Sequence, residues 1–147
     1  MEIDIDGSYL EGGGQIVRTA VALSAITRKS VHLFNIRKGR QNPGLKPQHL
    51  VGIKTAARLC EAETWGVTQN SLEFSFHPGF IIGGNFQVDT RTAGAITLIL
   101  QTLIPIALFS PRPVVFNIKG GTAVPFSRIS FSVEKYFYLR KGFIEES

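Results

Sequence analysis

Met1-Glu-Ile-Asp-Ile-Asp6, with the glycine triplet Gly12-Gly-Gly14 close behind it, is the stretch of sequence that decides the type of fold. Apolar and acidic residues alternate over residues 1–6, which is typical of a half-buried β-strand. Residues 15–26 are predicted as an α-helix, because apolar residues recur there at helical spacing. The residues predicted to share the buried face of that helix are Ile16, Ala20 and Leu23.

Residues 30–36 are predicted as a second strand, which completes a β-α-β unit. A basic loop over residues 37–46 follows, and Pro47 begins a second helix, since the first turn of a helix does not need the N–H that proline lacks. Residues 64–67 and 72–76 are predicted as a closing pair of strands. The residues predicted to line the inner face of the second helix are Leu50, Ile53, Ala57 and Cys60.

The element order of this first βαβαββ unit, residues 1–80, is predicted to begin again in the rest of the chain. Phe34-Asn-Ile-Arg-Lys-Gly39 recurs as Phe116-Asn-Ile-Lys-Gly-Gly121, and Asp6 has a counterpart in Asp89. Both matches give an offset of about 82 residues, which is too long for a solenoid repeat. We therefore predict an α+β fold of two related units in tandem.

The second unit, residues 81–147, is predicted to contain strands at residues 86–89 and 114–118 and helices at residues 93–109 and 127–141. No closing pair of strands is recognised in its sequence. The second unit is therefore predicted to be truncated, and the chain to be a piece of a longer protein.

The positive charge of the chain is concentrated in one window. The formal net charge is +5, and no acidic residue lies between Glu11 and Glu61. Nine of the sixteen basic residues lie in this window: Arg18, Arg28, Lys29, Arg37, Lys38, Arg40, Lys46, Lys54 and Arg58. Such a block attracts polyanions, most simply the phosphates of nucleic acids or nucleotides. A solvated basic face on a soluble domain is the alternative interpretation.

Composition excludes several classes of protein. With 44% hydrophobic and 18% charged residues, the chain is not of the disordered type. A single cysteine, Cys60, excludes a disulfide framework and a Cys-based zinc site, and indicates an intracellular location, cytoplasmic or, in a eukaryote, nuclear. Residues 1–6 are acidic where a signal peptide would be basic. The longest apolar run, residues 93–109, is interrupted by Pro105 and is too short for a membrane helix, so no membrane partner is expected.

The first motif that indicates chemistry is Asp6-Gly-Ser-Tyr-Leu-Glu-Gly-Gly-Gly-Gln-Ile-Val-Arg18. Consecutive glycines before a helix expose backbone N–H groups at its positive end, which is a ready anion site. Gln15 and Arg18 are three residues apart and share one helix face. Glu11 is a candidate metal ligand, because a carboxylate beside a phosphate site commonly binds Mg²⁺. A plain flexible turn is the alternative.

The basic loop before the second helix carries the second motif, with Arg37, Lys38 and Arg40 as candidate phosphate ligands. Guanidinium groups match phosphate geometry bidentately, and several on one loop can grip a terminal phosphate. Gln48 and His49 lie in the first turn of the following helix, near its positive end. His49 either donates a hydrogen bond to a phosphate or packs and caps the helix.

One further polar residue, one glycine-rich segment and two histidines are candidates for a functional role. Gln101 is a polar residue in an apolar helix and needs a partner, either a ligand or a backbone carbonyl. The segment from Gly120 to Pro125 and its following aromatic residue can hold a flat ring, or can be a simple strand-to-helix turn. His32 and His77 lie in predicted strands and are interpreted as ordinary sheet residues.

Taken together, these motifs resemble the RNA 3′-terminal phosphate cyclase family. The segment Glu11–Arg18 resembles its glycine-rich signature, and Asn42-Pro-Gly-Leu45 and Pro47-Gln-His-Leu50 are similar to its second signature. Residues 93–101 and 120–125 also look like family segments, in the right order. The resemblance covers less than half of a typical family member.

The resemblance implies a fold and an activity. The family fold repeats a unit of a four-stranded sheet with two helices. Its enzymes use ATP and a divalent metal (Mg or Mn) to convert an RNA 3′-phosphate into a 2′,3′-cyclic phosphate. A histidine is first adenylylated, AMP moves to the RNA 3′-phosphate, and the neighbouring 2′-hydroxyl attacks and expels AMP. This is nucleophilic catalysis combined with electrostatic clamping of phosphates.

By motif position, the resemblance also implies roles for individual residues. Glu11 would be the metal or active-site carboxylate. The arginines implied to hold phosphates at the catalytic centre are Arg18, Arg37 and Arg40. The residues implied to support substrate phosphate binding are Gln15, Lys38, Gln48 and His49. Those implied to lie at the nucleotide are Gln101 and Pro125.

The family's nucleophilic histidine belongs to a C-terminal motif that His32, His49 and His77 do not match. This chain alone is therefore not expected to be adenylylated. Two alternatives stay open: a non-catalytic cyclase-like RNA-binding protein of ribosome biogenesis, and a generic basic lobe that binds phosphate or RNA. Self-association through an open sheet edge is also expected.

Overall fold

A computed structural model describes residues 1–90, 95–120, 128–133 and 139–145. These residues form helices and strands in alternation over most of the chain, which confirms the predicted α+β class. The elements are β1 (Ile3–Asp6), α1 (Gly14–Thr27), β2 (Val31–Phe34), α2 (Pro47–Leu59), β3 (Glu63–Trp65), β4 (Phe74–His77), β5 (Gly84–Asp89), α3 (Ala95–Ala107), β6 (Val114–Lys119), β7 (Arg128–Val133) and β8 (Leu139–Glu145).

The first sheet has the strand order β1-β2-β4-β3. β1 pairs with β2 in parallel, from Ile3 opposite Val31 to Asp6 opposite Phe34, and α1 supplies the crossover that a parallel pair requires. The other two pairings are antiparallel. Burial alternates along β2, with Val31 and Leu33 buried and His32 half-buried, so the sheet has a core face and an outer face.

α1 packs on this sheet, and the three helices pack on one another. α1 contacts β2 and β4, α2 contacts β5, and α3 lies against both α1 and α2. The buried residues of α1 are Val17, Ala20, Val21, Ala22, Ser24 and Ala25. The prediction that Leu23 belongs to the buried face is wrong, because its side chain is 54% exposed. Small residues form the buried face instead, in part at the spacing i, i+3, i+4, i+7.

The second sheet has the order β5-β6-β7-β8, with β5 parallel to β6 and the later pairings antiparallel. The prediction of a helix over residues 127–141 is wrong, since β7 and β8 lie there. The prediction that closing strands are missing is wrong for the same reason. The sequence of β7, Arg128-Ile-Ser-Phe-Ser-Val133, alternates polar and apolar residues and is rich in strand-forming side chains, which explains the difference.

The two sheets do not establish the predicted repeat. Asp6 lies opposite Phe34, whereas Asp89 lies opposite Lys119, so the two sequence matches do not share one pairing register. Among the described residues, the second sheet has only α3 as its crossover helix, where the first unit has two helices. The tandem repeat with units at residues 1–80 and 81–147 therefore stays a prediction.

Two further findings concern surfaces. β1 and β3 are the edges of the first sheet, and self-association through such an edge stays a prediction. Over the described ranges, none of the helices combines the length and the hydropathy needed to cross a membrane.

Candidate phosphate-binding site

The glycine triplet shapes the entrance to α1. Gly12 has φ +58°, a left-handed conformation that glycine adopts without strain. A Cβ on Gly13 would lie 2.8 Å from Nη2 of Arg40. A Cβ on Gly14 would lie 2.5 Å from Nε2 of His49 and 3.0 Å from Nη1 of Arg18. The missing side chains thus admit two guanidinium groups and an imidazole to the positive end of the helix.

The first turn of α1 leaves backbone donors available. The N-cap residue, Gly13, has no side chain that could accept from them, and the first turn contains no acidic residue. Free N–H groups at a helix N-terminus, combined with the helix dipole, favour an anion. The structure therefore places the glycine triplet where the sequence analysis expected an anion site.

His49 fixes the start of α2. Its Nδ1 accepts a hydrogen bond from the backbone N–H of Lys46 at 2.9 Å, so the neutral ring carries its proton on Nε2, the atom nearest Gly14. The ring is 6% exposed. Burial, followed by the charges of Arg37, Arg18 and Lys46, lowers the pKa of His49 to about 4. His49 is thus a neutral N–H donor at pH 7, and the capping role considered from sequence is found.

Arg18 is the most constrained cation of the site. Its Nη2 donates to Oε1 of Gln15 at 3.1 Å, and Gln15 in turn donates from Nε2 to Oγ1 of Thr19 at 2.9 Å. Burial lowers the pKa of Arg18. Its Nε is buried and has no hydrogen-bond partner among the described residues. A buried donor without an acceptor is uncommon, and either an ordered water or a ligand oxygen can satisfy it.

A groove of about 590 Å³ runs past these groups. We call it the phosphate groove; it is lined by residues 9–16, Arg18 and Arg40. Its size is that of an ordinary small-molecule site. Glu11, Arg18, Arg37 and Arg40 are all expected to share one cavity; Glu11, Arg18 and Arg40 line this groove, whereas Arg37 does not.

Arg37 is placed differently from the other predicted arginines. Its Nη1 donates to the carbonyl oxygens of Asn42, at 2.7 Å, and Gly44, at 3.0 Å. Arg37 therefore braces the loop before α2 and does not line the phosphate groove. Lys38 is exposed, and Gln48 lines a narrow cleft together with Arg18 and His49.

Gln101 lies on a second groove, of about 650 Å³, that also includes Gln15. Gln101 is exposed on α3 and can be hydrated, so it does not need the backbone carbonyl partner considered from sequence, and a ligand partner stays a prediction. Gln15 lines both grooves, so the two grooves are adjacent to each other at this residue. Pro125 lies outside the described residues, as do residues 93 and 94 of the segment 93–101 that resembles the family.

The sequence analysis missed two residues of the phosphate groove, Tyr9 and Leu10. They are 68% and 84% exposed, and Leu10 has φ +54°. Their signal in the sequence was two large apolar residues inside a turn between glycines, where neither strand nor helix can bury them.

The outer face of the first sheet is acidic, in contrast to the basic phosphate groove. We define it by Glu2, Asp4, His32, Glu73 and His77. His32 lies between the carboxylates of Asp4 and Glu73, at 3.1 Å from each, and its pKa is raised, mainly by the hydrogen bond to Asp4. His77 pairs with Glu2, and the hydrogen bond lowers the pKa of Glu2. Both histidines lie in strands as predicted, each with a carboxylate partner.

Comparison with known families agrees with the resemblance of the motifs. The family model described as RNA 3′-terminal phosphate cyclase matches residues 9–140. The chain belongs to the RNA 3′-terminal phosphate cyclase family. The identification made from the glycine-rich and Pro-Gln-His motifs is thereby confirmed.

Relatives named RNA 3′-terminal phosphate cyclase come from archaea and bacteria. A protein of Methanosarcina acetivorans is 58% identical over 125 residues, which are 85% of this chain and 35% of the relative. One of Pyrobaculum aerophilum is 52% identical over 124 residues, 84% of this chain and 36% of the relative. One of Nitrosospira multiformis is 52% identical over 121 residues, which are 82% of this chain and 34% of the relative. The chain thus spans about a third of the length of the curated relatives it matches.

Proposed function

We propose that this chain provides the RNA-end-binding part of an enzyme that converts an RNA 3′-terminal phosphate into a 2′,3′-cyclic phosphate, using ATP and adenylylated intermediates. The observation that carries the proposal is the buried Nε of Arg18, which lacks an acceptor in the described residues beside the uncapped N-terminus of α1. A terminal phosphate has the charge and the oxygen atoms that this arrangement lacks.

The phosphate groove supports a division of labour among its residues. The N–H groups at the start of α1 and the guanidinium of Arg18 hold the terminal phosphate, and Arg40, whose guanidinium lies against Gly13, adds a second charge. His49, which stays neutral, adds an N–H donor without adding charge. Fixed donors of this kind stabilise charge that develops on phosphate oxygens when the 2′-hydroxyl attacks. Arg37 acts as a positioning residue, since it holds the loop that carries Arg40.

Glu11 fits the divalent cation that the proposal requires. Among the described side chains of the phosphate groove it is the one carboxylate, and it is exposed. Mg²⁺ is commonly bound through one or two carboxylates together with substrate phosphates, and Mn²⁺ accepts the same oxygen ligands. The cation would neutralise phosphate charge beside the attacking hydroxyl.

The second groove is the proposed place for ATP. Gln101 and Gln15 both face it, and Gln15 also bonds Arg18, so a nucleotide there would adjoin the RNA phosphate. The resemblance implies Pro125 as a further nucleotide contact. ATP supplies the AMP group that makes the 3′-phosphate reactive. We propose His49 as a binding residue and not as the adenylylated histidine, because its Nδ1 accepts the Lys46 amide.

A chimaera tests this proposal. Residues 1–133 replace the matching segment of the Methanosarcina acetivorans relative, and cyclisation of 3′-phosphorylated RNA is measured with ATP and Mg²⁺ or Mn²⁺. We expect an active chimaera that loses activity with Glu11→Ala or Arg18→Ala and keeps it with Lys29→Ala, since Lys29 lies beyond the other end of α1.

A second candidate, the non-catalytic RNA-binding protein of ribosome biogenesis, makes a different prediction. A folded but inactive chimaera that binds 3′-phosphate and 3′-hydroxyl RNA equally would favour it. The position of Glu11 among phosphate ligands favours the enzyme, because a carboxylate opposes phosphate binding unless a cation or a proton transfer uses it.

A further inference from the structure

Tyr9 and Leu10 occupy the rim of the phosphate groove without any structural need to be apolar. The turn that carries them is held by other groups. Ser8 donates from its backbone N–H and its Oγ to Oδ1 of Asp6, at 2.9 and 2.6 Å, and Gly12 donates to the carbonyl oxygen of Tyr9 at 3.1 Å. The tyrosine ring and the leucine side chain therefore do not build the turn.

The backbone of this turn presents both side chains to solvent. Leu10 has φ +54°, a conformation that side chains other than those of Gly, Asn and Asp adopt rarely. The two side chains are 68% and 84% exposed. An exposed apolar pair in a strained turn, directly beside charged groups that bind an anion, is a reason to look for a ligand contact.

We infer that Tyr9, with Leu10 beside it, contacts the nucleoside that carries the 3′-phosphate. This inference rests on the proposed function. When the phosphate occupies the N-terminus of α1, the attached ribose and base must leave the charged part of the groove, and the apolar rim is the surface that can receive them. A tyrosine ring can stack on a base of any sequence, because every base has a π-face. In this arrangement Arg18 binds the terminal phosphate, and the ring of Tyr9 stacks on the terminal base.

The neighbouring charges fit this assignment. Arg40, whose guanidinium lies against Gly13, lines the same groove and adds its charge to that of Arg18 at the terminal phosphate, so the apolar rim is left for the nucleoside. The other exposed aromatic side chains in the described part of the chain lie outside this groove, Phe109 among them. Tyr9 is therefore the aromatic ring that a bound RNA end meets.

The test measures the affinity of the chain, by fluorescence anisotropy, for three short RNAs: one with a 3′-phosphate and a terminal adenosine, one with a 3′-phosphate and an abasic terminal residue, and one with a 3′-hydroxyl. The variants are Tyr9→Ala, Tyr9→Phe and, as a matched exposed aromatic outside the groove, Phe109→Ala. Thermal unfolding verifies that each variant folds.

We expect removal of the terminal base to weaken binding to the wild type about tenfold. Tyr9→Ala should weaken binding of the adenosine RNA by a similar factor and leave the abasic RNA unchanged, whereas Tyr9→Phe and Phe109→Ala should retain wild-type affinity for both. Equal effects of Tyr9→Ala on both RNAs, or no effect on either, would overturn the inference. Failure of the proposed function gives a separate result, because the wild type would then not distinguish the 3′-phosphate from the 3′-hydroxyl RNA.

Discussion

Two histidines in this chain lie in regions of opposite electrostatic character. His49, beside the phosphate groove, is buried among cations, and its pKa falls to about 4. His32, on the outer face of the first sheet, lies between two carboxylates, and its pKa is raised. The comparison teaches that the net charge of +5 does not by itself locate an RNA site. We expect phosphates to be attracted to the groove and repelled by the acidic outer face.

The largest expected effect is the pH dependence of the free energy of unfolding that comes from the buried imidazole of His49. Its folded pKa of about 4 lies below the unfolded value of about 6.5, so the unfolded chain gains the proton first as the pH falls. The stability that this site contributes is present above pH 6.5 and is lost towards pH 4, by up to about 3 kcal/mol. Urea unfolding across this range measures it.

His49→Gln is the control for that measurement, because glutamine does not titrate. We expect the free energy of unfolding of the variant to depend less on pH between 6.5 and 4 than that of the wild type. An identical slope in both proteins would show that the imidazole is not held neutral in the folded groove.

The next effect concerns the close approach at Gly14. Gly14→Ala places a methyl group against His49 and Arg18, so we expect the free energy of unfolding to fall by about 1–3 kcal/mol and affinity for 3′-phosphorylated RNA to fall about tenfold. Gly39→Ala is the matched control, since a Cβ there meets no atom within 4 Å. Wild-type affinity in the Gly14 variant would contradict the proposed arrangement.

A smaller effect separates Arg40 from cations that lie elsewhere. Arg40→Ala should reduce the slope of log affinity against log salt concentration by about 0.7, the loss of one phosphate contact on single-stranded RNA. Lys29→Ala removes the same charge beyond the far end of α1 and should leave the slope unchanged. Equal changes of the slope in both variants would mean that RNA affinity depends only on the net charge of the chain and not on the position of Arg40.

The smallest effect is the pH dependence at His32, with the opposite sign to that at His49. Its folded pKa is raised above the unfolded value, so its contribution to stability is complete below about pH 6.5 and is lost as the pH rises through the folded pKa. His32→Gln should flatten the decline of stability on the alkaline side, whereas His49→Gln should not. If the free energy of unfolding of the His32 variant depended on pH as that of the wild type does, the ion pairs of His32 would not be maintained in solution.

Much of the fold was predictable from local patterns. Residues 1–6 alternate cleanly, Pro47 begins α2 as expected, and α3 occupies most of the predicted apolar helix. Leu23 was misplaced because helical spacing alone does not say which of two overlapping apolar stripes faces the core. The predicted helix at residues 127–141 failed because the strand pairing of β7 and β8 decides their conformation, and pairing over a distance is not visible in local spacing.

The site was predictable where a motif had a geometric meaning. The glycine triplet, Glu11 and Arg18 lie together as their spacing indicated. The role of Arg37 was not predictable, because a guanidinium serves a backbone carbonyl as readily as a phosphate. The neutral state of His49 depends on burial and on cations of α1 and of the loop before α2, which only the folded chain brings together.

The most direct test of the account follows backbone amide resonances of the chain during titration with short RNAs that differ only in a 3′-phosphate or a 3′-hydroxyl. We expect the amides of Gly12 to Gln15 and Arg18 to shift with the phosphorylated RNA and much less with the hydroxyl form, while Asp4, His32 and Glu73 stay unchanged. Equal shifts with both RNAs, or the largest shifts on the outer face, would contradict the claim that the phosphate groove binds the RNA end.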